Sequence, residues 1–357
     1  MISPYTNKEL LILPGLLLLS MLIVFESRMQ RLYNAGTIQS PEPVVLHLHE
    51  RTGLDGLAVQ LEEIGVDFNR DELFWAGRVL GWRNFRPGRY EIPGPVSYDS
   101  FLSKMARGIQ DPANVTVLSG TDIGRLSAHL ARQMRADSTE FADLFADSSD
   151  LALELGLTGE ELFSRMLPET YQIYWTSNAE NTVRRIYNEF DRNIAQRLNS
   201  QIEESPFTLN EVIILASIVE WEARHAEEKP IVSGLYINRL NRNMRLQADP
   251  TVLYALGERR RLLFEDYRFD HPYNTYIIRG LPPGPITNPD RVSIQAVLNP
   301  VEHDYLYMVA TPDGSHVFNR TFEEHRRSSA EWRNWIQEQY RIKRQREREE
   351  QESGSSL

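Results

Sequence analysis

The segment from Pro206 to Pro230, "PFTLNEVIILASIVEWEARHAEEKP", constrains the chain more than any other. Thr208 and Glu211 have capping-box spacing, so a helix is expected to begin at Leu209 and run to about Ala226. Up to Glu220 it is apolar on nearly every side. Such a helix has no face to give to water and must lie at the centre of its domain. It nevertheless ends in two carboxylates, Glu220 and Glu222. A carboxylate against apolar neighbours is neutralised, partnered or put to use. Partnering would be an ion pair such as Glu220 with Arg224, one turn on. Use would mean a raised pKa and a general acid working near neutral pH. Small residues at Ala216 and Ser217 leave space beside Glu220, as a cleft needs, but periodicity alone does not choose between the two glutamates.

The length of 357 residues allows two or three domains. A net charge of −11 argues against a general nucleic-acid binder. Without cysteine there is no disulfide, thiolate metal site or cysteine nucleophile. The histidines include no H-x-x-x-H, and no G-x-S-x-G is present, which disfavours a zinc enzyme and a serine hydrolase.

From Leu10 to Phe25 the chain carries sixteen positions without a charge, "LLILPGLLLLSMLIVF". This is just short of the usual bilayer span, and no small-x-small cleavage site follows, so a membrane anchor is expected over a signal peptide. Lys8 before it and Arg28 and Arg31 after it leave the charge rule for orientation tied. "NAGTIQSPEP" reads as a linker, and the mixed-charge C-terminus as a solvated helix fraying into a disordered tail.

Residues 46–61 and 115–130 align without gaps, each a short strand, a Thr/Gly turn and a helical pattern. The first copy continues into a second helix, a strand and a helix capped by Ser97. The reading is a binding or spacing module, with His47 and His49 as solvated strand histidines. Downstream come "LPETYQIYW", the polar "RLQADPT", "YNTYIIRGLPPGPITNP" and "DYLYMVATPDGSHVFNRTFEEH". "GLPPGP" can be neither a central strand nor a helix. Amides, carboxylates and flat rings in one neighbourhood suit a sugar chain, although each ring alone could be core.

Those blocks, with "LASIVEWEA" and "VSGLYINRLNRNMRLQADPTVLYAL", resemble the signature blocks of the endolytic murein transglycosylase (MltG, YceG-like) family in order and spacing. The chain departs from the family pattern at Glu169, where Asp is usual, and at Trp221, where Lys is common. The resemblance implies an α+β protein. Its parts would be a cytoplasmic tip and transmembrane anchor over 1–26, a linker over 27–43 and a LysM-like subdomain over 44–112. A mixed α/β catalytic domain would cover 113–336, and a charged tail 337–357. It implies a single-pass protein of the bacterial inner membrane with a periplasmic catalytic domain. That domain would cleave the β-1,4 bond from N-acetylmuramic acid to N-acetylglucosamine inside nascent strands and leave 1,6-anhydro ends. The implied partners are peptidoglycan glycan strands and the cell-wall synthases of elongation or division. No cofactor, metal or nucleic acid is implied.

By the match to the family's block, Glu220 is the catalytic residue and Glu222 a supporting group. Gln247, Asp249 and Asn274 are candidates for holding the sugar, with Tyr276 and Tyr171 as platforms and Glu169 as a cleft hydrogen-bonder. Asp249 could instead simply cap the helix beginning at Pro250. Two other classes stay open: a muramidase using Glu220 with Asp249, and a non-catalytic glycan-binding scaffold.

Overall fold

A computed structural model of the chain describes residues 7–354. It forms two compact units, one of Met1–Val115 with Gln133–Arg135 and Tyr171–Asn178, the other of Thr116–Arg132 with Ala136–Thr170 and Ala179–Leu357.

The first unit contains helices α1 (Asn7–Tyr33), α2 (Leu54–Glu63), α3 (Arg70–Leu80) and α4 (Tyr98–Arg107). Its strands are β1 (Ile38–Gln39), β2 (Val44–Leu48), β3 (Thr52–Gly53), β4 (Asp67–Phe68), β5 (Asn84–Phe85), β6 (Gly88–Ile92), β7 (Ala113–Thr116) and β8 (Thr170–Ile173). β2 pairs antiparallel with β6, Leu46 opposite Tyr90, and α2 and α3 lie between them in sequence. Alternation along β2 and β6 sends Leu46, Leu48, Tyr90 and Ile92 into one core with Leu57, Leu61, Leu73 and Leu102. The side chain of Ser97 caps α4 by accepting from the Ser100 amide.

Three features differ from expectation. The second copy of the repeat is divided, since β7 lies almost wholly in the first unit while its helix belongs to the second. Residues 171–178, expected in the catalytic domain, return to the first unit, where Trp175 packs 4.7 and 4.8 Å from the rings of the exposed His47 and His49. Along α1 the side chains from Leu16 to Leu19 and from Met21 to Phe25 are exposed. Among the described residues, however, no helix is long and apolar enough to cross a membrane. The tip expected over residues 1–6 lies outside the described residues.

The second unit is mostly helical: α5 (Ile123–Ala131), α6 (Ser138–Asp143), α7 (Asp150–Leu155), α8 (Gly159–Ser164), α9 (Ala179–Phe190), α10 (Asn199–Glu204), α11 (Leu209–Glu222), α12 (Lys229–Asn241), α13 (Asp249–Leu256), α14 (Arg291–Leu298) and α15 (Phe322–Gly354). A hairpin of β9 (Tyr307–Ala310) and β10 (His316–Asn319) precedes α15. α11 begins at the Thr208–Glu211 capping box, and every residue from Val212 to Val219 is buried. It packs on α12, α13 and α14, with Val232, Leu235, Leu246, Ile294 and Val297 in the same core. The apolar helix is therefore central, as its sequence demands.

α11 stops at Glu222, short of the expected Ala226, because Ala223 turns extended. The reversal that follows brings Lys229, the first residue of α12, back onto Glu220. At the C-terminus, α15 continues through the segment expected to be a disordered tail. Residues such as Glu, Arg and Gln favour the helix, and pairs such as Arg341–Glu338 and Lys343–Glu347 support it. Residues 355–357 of that tail lie outside the described residues.

Candidate active site

Glu220 and Glu222 leave the end of α11 in different directions, about 200° apart around a helix. Their surroundings differ accordingly. Glu220 is 8% exposed at its side chain, and its Oε2 accepts from Lys229 Nζ (2.8 Å), Ser293 Oγ (2.7 Å) and the Asp290 amide (3.3 Å). Lys229 Nζ also donates to Asp290 Oδ2 at 2.9 Å. This is the buried ion pair of the partnered alternative, made with Lys229 and the first turn of α14 in place of Arg224. Nor does Ser217 leave space beside it. It is fully buried, donating to Ile214 O and accepting from the Ile286 amide, so it fastens the end of the Pro/Gly loop onto α11.

Glu222 opens into a cleft of about 420 Å³ lined also by Tyr236, Arg239, Gln247, Asp249, Tyr276 and His325. Tyr236 Oη donates to Glu222 Oε1 at 2.8 Å. Burial pushes the Glu222 carboxyl up to about 7, and the negative charge of Asp249 adds to the effect. The Tyr236 hydrogen bond and the Arg239 charge pull the other way and only partly offset it. Burial likewise pushes the Tyr236 phenol well above its usual range, so it stays a donor. Glu222 therefore has a carboxyl poised near neutrality in an accessible cavity.

The cleft wall is built from helix starts and ends. Tyr236 and Arg239 lie three apart on α12 and share its inner face. Arg239 is buried, donates to the carbonyls of Leu306 and Leu246, and its Nη1 donates to Gln247 Oε1 at 3.3 Å. Gln247 takes φ = 51°, a left-handed conformation that costs a non-glycine residue energy. Its amide donates to Thr275 O. Asp249 is the first residue of α13 and makes no capping hydrogen bond there; its Oδ1 accepts from Tyr276 Oη at 2.6 Å. The capping role weighed for Asp249 is thus replaced by a contact within the cleft. Burial beside the Asp249 charge raises the Tyr276 phenol far above its ordinary value.

Four of the expected residues, Glu222, Gln247, Asp249 and Tyr276, therefore meet in one cleft, and the other four do not join them. Asn274 is corrected to a core residue. It is fully buried, its Nδ2 donates to Phe269 O at 2.8 Å, and its Oδ1 accepts from the Tyr276 amide, so it shapes the turn that presents Tyr276. Glu169 pairs with Arg291 at the start of α14. Tyr171 is buried in the first unit. Glu220 serves the ion pair above. Sequence reading missed Lys229, Asp290, Tyr236, Arg239, Tyr307, His316 and His325. Only Tyr236 and Arg239 left a signal, a phenol and a guanidinium on one face of a helix expected to be core. Among the described residues, no group of three or more His, Asp or Glu is placed to hold a metal ion.

Comparison with known proteins gives this geometry its context. Residues 46–331 match the YceG-like family. The chain belongs to that family. Its relatives include an endolytic murein transglycosylase of Bacillus subtilis (strain 168), 27% identical over 270 residues, or 71% of this chain and 75% of the relative. Another is an endolytic murein transglycosylase of Streptococcus pneumoniae (serotype 2 strain D39), 26% identical over 324 residues. That alignment covers 82% of this YceG-like chain but 59% of the pneumococcal one. The crystal structure of a YceG-like protein from Listeria monocytogenes superposes with a TM-score of 0.56 at 26% identity, over 81% of this chain and 99% of that one.

Proposed function

We propose that this chain is a lytic transglycosylase that cleaves glycan strands of peptidoglycan internally, with Glu222 as its single acid and base. The relatives named as endolytic murein transglycosylases support the reaction class. One observation carries the residue assignment: Glu222 is the carboxyl held near neutrality by burial in the cleft that also presents Gln247, Asp249 and Tyr276. Glu220, the earlier candidate, has its acceptor oxygen engaged by an ammonium, a hydroxyl and an amide.

In the proposed reaction, protonated Glu222 gives its proton to the glycosidic oxygen as the bond from that oxygen to C1 of the muramic acid breaks. The Glu222 carboxylate then takes the proton of the same sugar's C6 hydroxyl, whose oxygen closes on C1. Glu222 ends protonated again, no water is consumed, and the product end is a 1,6-anhydro sugar. Tyr236 holds the carboxyl in place, while Gln247 and Arg239 offer donors to the sugar's acetamido and hydroxyl groups. The exposed apolar run of α1 supports an anchor in the bacterial inner membrane, with the second unit reaching the wall from the periplasm and working beside cell-wall synthases.

Purified glycan strands digested with the chain and weighed by mass spectrometry test the reading. Anhydro ends, each lighter by one water than a reducing end, are expected. Reducing ends alone would show a hydrolase using Glu222 with Asp249 across the bond.

A further inference from the structure

Glu222 also lines a second cavity, of about 640 Å³, together with Glu220, Trp221 and the arginines Arg224, Arg259, Arg260 and Arg261. Gly120 and Arg259 are shared with a third cavity, of about 330 Å³, that holds Arg125 and Arg132. Some of these arginines have ordinary structural work. Arg260 pairs with Glu258 and Asp266, Arg125 lies 3.4 Å from Asp122, and Arg132 closes α5, where a cation is favoured anyway. Arg259 is different. Its guanidinium lies 4.4 Å over the Trp221 ring and donates to Gly120 O at 2.7 Å. Gly120 has φ = 62°, a conformation suited to glycine, and the same carbonyl accepts from Trp221 Nε1. Partial burial, and then the like charge of Arg125, lower the Arg259 pKa from its usual range. Among the described residues no carboxylate lies within ion-pair distance of Arg132, Arg224, Arg259 or Arg261. In a chain of net charge −11, these four guanidiniums are left without a carboxylate partner, while the carboxylates nearby are spent on Arg125, Arg260 and Lys229.

We infer that the arginine trough centred on Arg259 binds carboxylates of the peptide branches carried by a glycan strand. The inference rests on the glycan reading above. The sugar backbone itself is uncharged where each lactyl group is joined to a peptide, so the anions within reach of a cut bond are the free carboxylates of those peptides. A pyrophosphate at a lipid-linked strand end offers the same oxyanion chemistry, but only at one end. An enzyme that cuts internally meets a muramic acid with its branch at every bond. The trough begins at Trp221 and Glu222, where that branch would leave the cleft. Guanidinium is suited to carboxylate through paired donors.

The test uses the full chain in detergent on three matched substrates: strands with peptides, strands stripped of peptides, and stripped strands ending in a lipid pyrophosphate. The wild type is expected to prefer peptide-bearing over stripped strands by about tenfold or more in kcat/KM, and the preference should shrink with added salt. Arg259→Gln and, separately, the surface change Arg132→Gln should bring that ratio towards one, while Arg259→Lys restores part of it. Melting curves confirm that each variant is folded. An unchanged ratio, or a preference that follows the pyrophosphate instead, overturns the inference. If the wild type cuts none of the three, the glycan-cleavage reading fails. Calorimetry with a soluble muramyl peptide then still decides the trough, since equal affinity in wild type and Arg259→Gln would refute it.

Discussion

Replacing Glu222 with Gln tests the assignment through stability as well as through activity. An ordinary glutamate carboxyl titrates at 4.5 and this one at about 7. Over that window the folded chain holds a proton that the unfolded chain has released, so stability falls as pH rises from about 4.5 to about 7, then levels. The gap of roughly 2.5 pH units, at about 1.4 kcal/mol each, sets the loss at no more than about 3.5 kcal/mol. Glutamine cannot ionise and can still accept from Tyr236. Glu222→Gln should therefore match the wild type at about pH 4 and exceed it by up to about 3.5 kcal/mol at pH 8, or about 7–14 °C in Tm for a unit of this size. Taking the difference between wild type and variant at each pH cancels the other titrating groups. In the same variant, glycan cleavage should fall by about 2 to 4 orders of magnitude. Wild-type kcat should decline above about pH 7 as the acid is lost. A stability difference that does not change with pH, or a variant that still cleaves, would refute the reasoning.

Glu220→Ala leaves Lys229 with Asp290 alone, so chemical denaturation should show a loss of about 3 kcal/mol. Cleavage per folded molecule should stay within about threefold of wild type, because Glu220 is not the acid. Tyr236→Phe removes the hydrogen bond that favours the ionised Glu222, and the upper limb of the kcat–pH profile should move to higher pH by about half a unit to one unit. Gln247→Gly relieves a left-handed backbone and should gain about 1 kcal/mol in a urea melt. The same change removes an amide from the cleft and should slow cleavage by about tenfold; unchanged cleavage would make Gln247 purely structural. Removing residues 1–30 should give a chain that stays in solution and cleaves strands, since both cores lie beyond that segment; aggregation of the truncated chain would count against it.

The sequence made the centre of the second unit readable because an all-apolar helix with a capping box has only one place to go. It also marked the neighbourhood of the cleft, since Gln247, Asp249 and Tyr276 belong to polar segments that no core would tolerate unpaired. Position within that neighbourhood was harder to read. Asn274 sits in the same polar stretch as Tyr276, yet its amide is spent on the backbone of the turn that aims the tyrosine. Glu169 and Tyr171 are two residues apart and fall in different units, because the chain crosses from one to the other between Thr170 and Tyr171. The charged C-terminus was compatible with either helix or coil; its Glu, Arg and Gln residues favour the helix that forms, and local ion pairs support it.

The choice between the two glutamates shows what periodicity leaves open. Ala216 and Ser217 looked like room beside Glu220, but small side chains mark close approach, and whether the neighbour is substrate or protein depends on distant residues. Here the neighbour is the Ile286 end of the Pro/Gly loop, whose amide is fixed by Ser217. The α12 start then supplies the ammonium that Glu220 needs, from a position nine residues downstream that only the reversal after Ala223 brings close. With Glu220 neutralised in this way, α11 can end in a second carboxyl whose near neighbours are a phenol and another carboxylate. Burial and that carboxylate favour the protonated form and outweigh the hydrogen bond from the phenol and the charge of Arg239. The ion pair that fixes the end of α11 and the acid beyond it are thus close in sequence but differ in what surrounds them: an ammonium lies on Glu220, while Glu222 meets burial and the charge of Asp249.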